Sequence, residues 1–297
     1  MKARSLFGDV RRLIFGAVTR MLLLATSTFT RPGSLRIYIQ TRLIDIGFAH
    51  HGLVKSMAIP FNRGVLQTPW LPLLRVQLRA HFVDREYDFN TQTGGVYVDL
   101  GANQGIFSIW VWLTRSPAYI IAVEADPAVH NSFTEPNMSS YIPNNSYVAF
   151  NVAVGANSGE AEFYSTGLDD GSLDPNTLVN HKKSDVTLIR VPVMTLDEII
   201  KDYPKIELLK IDIEGAEWEV LESTTRLGDI RTIHVESALR NYNWDVILRA
   251  ITLLQSHSFS VAVRIETLSK MPNQILSSKD QEIWGFLYLT ADQKNMS

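Results

Sequence analysis

The chemistry in this chain begins at the end of one short apolar run. Asp99 closes VYVDL and is followed by Leu-Gly-Ala-Asn-Gln-Gly, which sets Gly101, Asn103 and Gly105 in a tight turn before a second apolar stretch. Glu124 lies 25 residues beyond Asp99, at the end of the run AYIIAVE. A dinucleotide fingerprint requires G-x-G-x-x-G. Here Asn103 stands in place of the second glycine and Ile106 in place of the third. Asp99 would oppose a pyrophosphate, and the turn carries no P-loop lysine. A cationic ligand without phosphate fits better, and S-adenosylmethionine has those properties. On that reading Asp99 pairs with its ammonium, directly or through water. Gly101 and Gly105 allow close backbone approach because neither has a Cβ, and Glu124 accepts from the ribose hydroxyls. The blander alternatives are a turn-forming or capping Asp99 and a surface Glu124.

A second group of carboxylates lies further along. Asp212-Ile213-Glu214-Gly215-Ala216-Glu217 follows the run IELLKI, and Glu236 closes TIHVE. If those runs are adjacent parallel strands, Asp212, Glu214 and Glu236 surround one crevice. An alcohol is a poor nucleophile until its proton is moved, and a carboxylate within hydrogen-bond reach can move it. Asp212 and Glu214 are the first candidates for that base. Glu236 is a further candidate, either as base or as support. Three other readings stay open. Glu217 caps a helix or forms a salt bridge; Asp212 only binds the cofactor ammonium; or the carboxylates hold a divalent cation. The metal is the less favoured reading, and no residue is assigned to it. His234 lies inside an apolar strand and reads as a satisfied core histidine.

These groups need a scaffold. Apolar runs of five to eight residues, at VYVDL, AYIIAV, NSYVAFNVAVG, IELLKI, TIHVES, SFSVAVRI and EIWGFLYLT, alternate with helical patterns such as Ile106–Leu113. That alternation predicts an α/β domain with a mostly parallel, Rossmann-like sheet covered on both faces. Ligands in such sheets sit beyond the carboxyl ends of the strands, near the switch point. Thr195-Leu196-Asp197-Glu198 reads as a capping box with no chemistry. The polar stretch from Thr166 to Lys183 reads as a flap over the acceptor pocket, and Asn241, Tyr242 and Trp244 as acceptor contacts.

The blocks VDLGANQG (Val98–Gly105), AVEADP (Ala122–Pro127), AVGANSGEAEF (Ala153–Phe163), VMTLD (Val193–Asp197) and KIDIEGAE (Lys210–Glu217) together resemble the FkbM family of S-adenosylmethionine-dependent methyltransferases. The match in order and spacing runs from about Gly95 to Glu236. The resemblance implies a class I methyltransferase fold, a seven-stranded sheet with an antiparallel last strand. It implies O-methylation of a sugar or natural-product hydroxyl. It also implies that Asp99, Gly101, Asn103, Gly105 and Glu124 hold the cofactor, with the turn Asn151–Ala153, and hence Ala153, near the adenine. The expected function is methyl transfer to a hydroxyl of a glycan, lipid-linked sugar or small natural product. An N-methyltransferase on the same fold, or an inactive membrane-docked binding module, are the alternatives.

Composition frames these readings. The chain has 297 residues, 45% hydrophobic and 20% charged, and no cysteine, which excludes disulfides, thiolate nucleophiles and Cys-based metal sites. Residues 1–90 carry 13 Lys and Arg against five Asp and Glu; residues 91–297 carry 15 against 26. This predicts a basic, mostly helical N-terminal extension over 1–90 and an acidic catalytic domain over 91–297. An acidic domain argues against nucleic acid as the principal ligand. Phe7, Val10, Ile14, Ala17 and Met21 recur at helical spacing beside Arg4, Arg11 and Arg12. The segment Leu13–Ala25 is short for a spanning helix and is interrupted by Arg20. Packing of this helix on protein is the plainer reading. Peripheral membrane contact through residues 1–30 of a cytoplasmic protein stays open. After Arg31-Pro32-Gly33, the prolines Pro60, Pro69 and Pro72 predict turns and then a helix from about Leu73. His50 and His51 are adjacent and point apart, so they make no metal pair. The oligomeric state is not legible.

Overall fold

Two β-branched and apolar segments separated by two residues make a hairpin in the N-terminal region. β1 (Ser56–Phe61) and β2 (Gly64–Pro69) pair antiparallel, with Phe61 opposite Gly64 and Ser56 opposite Pro69. The expected run of turns between Pro60 and Pro69 is thus corrected to a two-stranded ribbon. Both strands of a ribbon have an unpaired edge, so a proline's missing N–H costs no ladder bond there. The protein is seen in a computed structural model that describes residues 56–61, 64–69, 81, 87, 91–166, 171–173, 186–239, 244–267 and 285–293. The amphipathic stripe of residues 1–30, His50 and His51 lie outside these. Of the helix expected from Leu73, only His81 is described; it is helical, and its ring stacks on Tyr87 at 4.2 Å between centroids.

The chain divides into two units, Met1–Phe89 and Asn90–Ser297. The second is built from β3 (Val96–Leu100), α1 (Ile106–Arg115), β4 (Tyr119–Val123) and α2, a helix in three segments: α over Pro127–Val129, π over His130–Thr134 and α over Glu135–Tyr141. There follow β5 (Tyr147–Phe150), β6 (Ala153–Val154), β7 (Gly159–Ser165), β8 (Thr187–Met194) and α3 (Leu196–Ile199). β9 (Ile206–Ile211), α4 (Glu217–Ser223), β10 (Ile230–Leu239), α5 (Trp244–Ser256), β11 (Phe259–Thr267) and β12 (Gly285–Gln293) complete it.

Seven of the described strands form one sheet in the order β11-β12-β10-β9-β3-β4-β5. β12 runs antiparallel to both its neighbours, and the remaining pairs are parallel. The centre is buried on both faces: Val98, Leu100, Ile121, Val123, Leu209, Ile211, Ile233, Val235, Leu287 and Leu289 all belong to one core cluster. That two-sided burial is why these strands read as unbroken apolar runs. The order reverses between β3 and β9, so the crevice for a ligand opens at their carboxyl ends.

A second sheet, β6-β8-β7, encloses Ala153, Phe163, Val191 and Val193. The single strand expected over Asn145–Gly155 is therefore two strands in two sheets. The chain leaves the main sheet at Asn151, whose amide donates to the carbonyls of Glu124 (2.8 Å) and Ala125 (3.3 Å). Both arms of the Thr195–Glu198 capping box are present.

Candidate cofactor and acceptor site

Strand register sets out the site as two rows. Asp99 is level with Ala122 on β4 and with Lys210 on β9, and Lys210 is level with His234 on β10. Side chains alternate faces with a period of two. Two residues on, and on the same face, come Glu124, Gly101, Asp212 and Glu236; the first three lie just past the ends of β4, β3 and β9, and Glu236 lies within β10, one residue past its pairing with β9. The register holds past the strand ends, because Gly101 N–H donates to Val123 O (3.0 Å) and Asp212 N–H to Leu100 O (3.1 Å).

The inner row is a buried charge cluster. Asp99 is 1% exposed; Ser108 Oγ donates to its Oδ2 at 2.7 Å and Lys210 Nζ to its Oδ1 at 3.3 Å. The same Nζ lies 3.3 Å from the Gly101 carbonyl oxygen and 3.4 Å from Asp212 Oδ2. Burial pushes Asp99 above the usual carboxylate range, against the pull of Lys210 and Ser108. Burial alone would lower Lys210, but Asp99, Asp212 and Glu236 outweigh it and hold the ammonium above the usual lysine range. Asp99 is thus engaged inside the protein. The carboxylate expected to pair with a ligand ammonium, directly or through water, is held here by Ser108 and Lys210. Asp212, 30% exposed, is the carboxylate of this cluster that reaches solvent.

The glycine turn is shaped by protein as much as by ligand. Gly101 has φ +76° and Gly105 φ +74°. A Cβ on Gly101 would stand 1.7 Å from Asp212 O, and one on Gly105 would stand 3.0 Å from Met138 Cγ. The close approach at Gly101 is therefore that of the loop after β9. Asn103, at φ +48°, donates its N–H to Glu124 Oε2 (2.8 Å). α2 holds the turn from the other side: Thr134 Oγ1 donates to Asn103 O, and Asn137 Nδ2 to Gln104 O at 2.9 Å. Thr134 closes the π segment of α2 and Asn137 lies in the α segment that follows, and π bulges concentrate at functional sites.

Glu124 is buried and its carboxyl is pushed up to about 7 by that burial, against the N–H groups of Asp126 and Asn103. Asp126 N–H donates to Oε1 at 2.8 Å. Each oxygen thus accepts one backbone bond and keeps a lone pair for a ligand donor. A pair of ribose hydroxyls suits that capacity.

The loop Asp212–Glu217 carries the second carboxylate group. Glu214 has φ +56° and Gly215 φ +127°. Glu217, read from sequence as a cap or salt-bridge partner, is buried with its Oε1 accepting Gly215 N–H at 2.9 Å and Ser237 Oγ 3.5 Å from Oε2. Burial pushes its carboxyl up to about 7, against the N–H groups of Gly215, Glu217 itself and Ile213. Glu236 is half-buried and acts on Lys210 electrostatically. His234 is buried, with Nδ1 3.1 Å from Thr290 Oγ1.

The structure thus gathers Asp99, Gly101, Asn103, Gly105, Glu124, Asp212 and Glu236 at one end of the sheet, with Glu214 on the adjoining loop. Ala153 lies in β6, its side chain packed in the core of the small sheet. Only its backbone is available to a ligand. Trp244 opens α5, while Asn241 and Tyr242 fall outside the described residues. Of the stretch from Thr166 to Lys183, Gly171–Leu173 are described beyond Thr166. Ser172 is fully buried, bridged to Tyr164, and its Oγ donates to Glu214 O. Lys210 and Ser108 had no role assigned from sequence. The signal for Lys210 was present: a lone lysine within IELLKI, between apolar residues of a central strand, must find carboxylates. Among the described residues no group of three or more His, Cys, Asp or Glu is placed to hold a metal ion.

A switch-point crevice entered by a glycine turn, with an acid at the end of the next strand, is the ligand-binding arrangement of a Rossmann-like sheet. The chain belongs to the FkbM methyltransferase family: the methyltransferase FkbM domain matches residues 99–261. The family's cofactor is S-adenosylmethionine. No curated protein matches the sequence. Among solved structures, it is similar to the precorrin-6y C5,15-methyltransferase of Geobacter metallireducens (14% identity, 69% of this chain and 82% of that, TM-score 0.38). It is also similar to TYW2 of M. jannaschii in complex with AdoMet (9%, 80% and 87%, 0.41) and TYW2 of P. horikoshii in complex with MeSAdo (10%, 85% and 83%, 0.42). These likenesses carry no functional argument.

Proposed function

We propose that this methyltransferase acts on oxygen, moving a methyl group to a hydroxyl of a glycan, a lipid-linked sugar or a small natural product. The observation that carries the reading is the outer row of the sheet, where Asp212 and Glu236 continue the line of Glu124 and Gly101. When bound, S-adenosylmethionine supplies a methyl group already activated on a sulfonium. The residues that would hold it are Glu124 on the ribose, the Gly101–Gly105 turn along the adenosyl body, and Asp212 on the ammonium.

With the donor so activated, the protein has two tasks. It must align the acceptor, which removes the entropic part of the barrier, and it must take the hydroxyl proton. Glu214 and Glu236 are the carboxylates left for the proton once Asp212 is given to the cofactor. Lys210 neutralises Asp99, so the buried cluster does not compete for that proton.

The test is transfer of a labelled methyl group from S-adenosylmethionine into an extract of the source cells, with the product examined for a methyl ether or a methylamine. A methyl ether is expected, with the yield lowered at least 100-fold by Glu214→Gln or Glu236→Gln, in line with the usual worth of a general base. A methylamine, formed equally by both variants, would make this an N-methyltransferase.

A further inference from the structure

Glu214 is a non-glycine residue in the left-handed region, at φ +56°, and it lies in the loop that carries the acceptor-side carboxylates. Residues other than glycine adopt that conformation at a cost and keep it only where their surroundings impose it. The surroundings here act from two sides. On one side the buried Glu217 carboxyl accepts Gly215 N–H at 2.9 Å and draws on the Ile213 N–H as well, so the peptide group that follows Glu214 and the one that joins Asp212 to Ile213 are tied to a single side chain. On the other side the fully buried Ser172 donates its Oγ to the Glu214 carbonyl.

Ser172 is itself fixed. Its N–H donates to Tyr164 O at 3.1 Å, and Tyr164 N–H donates to Ser172 O at 2.9 Å, which ties it to β7. The neighbouring Gly171 lies so close to the Phe163 ring that a Cβ would stand 2.6 Å from Cζ. The small sheet and the loop after β9 are thus joined at the Glu214 carbonyl. Neither tie is made to Glu124 or to the Gly101–Gly105 turn.

We infer that Ser172 and Glu217 are positioning residues, a two-sided clamp that holds Glu214 in the left-handed conformation so that its carboxylate serves the acceptor. The inference rests on the methyl-transfer reading given above, and it adds to it which groups set the geometry on the acceptor side. The strain at Glu214 is then kept for function rather than for folding.

Glu214→Gly and Glu214→Ala separate the two. Glycine relieves the backbone and alanine does not, while both remove the carboxylate. Glu214→Gly is expected to melt about 2 °C higher than Glu214→Ala, and both should lose labelled methyl transfer at least 100-fold while binding S-adenosylhomocysteine within about twofold of wild type. Ser172→Ala, assayed well below its melting temperature, should lower kcat about tenfold and leave KM for the donor within twofold; a merely structural serine would leave kcat unchanged. The clamp is overturned if Glu214→Gly melts no higher than Glu214→Ala, or if either variant transfers methyl groups as wild type does. Failure of the wild type to bind S-adenosylhomocysteine would instead strike at the underlying reading, and the melting comparison would still decide the clamp.

Discussion

Lys210 shows how one side chain can organise a site without touching the chemistry. Its ammonium spans the end of β3, the glycine turn and the loop after β9. With Lys210 at 4% and Asp99 at 1% exposure, removing the cation leaves a buried carboxylate without its partner. Lys210→Met should therefore cost about 3–5 kcal/mol in urea unfolding, and adding Asp99→Asn should recover part of that; a single variant as stable as wild type would refute the pairing. Glu124 makes a pH prediction. Burial pushes its carboxyl up to about 7, above the 4.5 of an ordinary glutamate, so the folded state holds a proton that the unfolded state has lost between those values. The contribution to stability is complete below about 4.5 and is lost as pH rises through 7. Glu124→Gln should accordingly gain on wild type from pH 5 to pH 8, by on the order of 1–3 kcal/mol. An unchanged difference across that range would contradict it. Individual acids and glycines were legible because their types limit what they can do. The pairing of Lys210 with Asp99 was not, because it depends on which strands are neighbours.

At the scale of elements, the central strands of the main sheet were legible because a strand buried on both faces has to be apolar throughout; the edge strand β11 is largely exposed and was legible only because its sequence SFSVAVRI is still mostly apolar. The small sheet was not. β6 has two residues, and β7, reading GEAEFYS, is polar through its first half. The N-terminal hairpin was hidden by its prolines, which signal turns unless both strands are edges. The loops that join elements can be tested singly. Gly101→Ala brings a Cβ to 1.7 Å from the Asp212 carbonyl at a φ of +76°, so the β9 loop must move. A loss of at least about 2 kcal/mol is expected in chemical denaturation, with cofactor affinity falling in step. Asp126 is the N-cap of α2, accepting from Ala128 and Val129, and it also accepts from Ser165 on β7. Asp126→Ala should cost about 1–2 kcal/mol, and a cost near zero would mean that water replaces all three bonds.

Over the whole molecule the charge division is the feature that the catalytic unit does not explain. Among the described residues no helix is long and apolar enough to cross a membrane. We propose that the basic amphipathic stripe read from the sequence of residues 1–30 contacts anionic lipid through its charges and its apolar face, the alternative to packing on protein. Sedimentation with anionic vesicles should therefore pellet the full chain and lose it on deletion of residues 1–30; equal pelleting would assign those residues elsewhere. The blocks Val98–Gly105 and Ala122–Pro127 frame the donor side of the crevice. That side is also where the account is most exposed. Calorimetric titration with S-adenosylhomocysteine measures it directly: the wild type should bind with a micromolar Kd and Asp212→Asn about tenfold more weakly, the worth of one charged hydrogen bond. No binding by the wild type, with a nicotinamide dinucleotide bound in its place, would contradict the account.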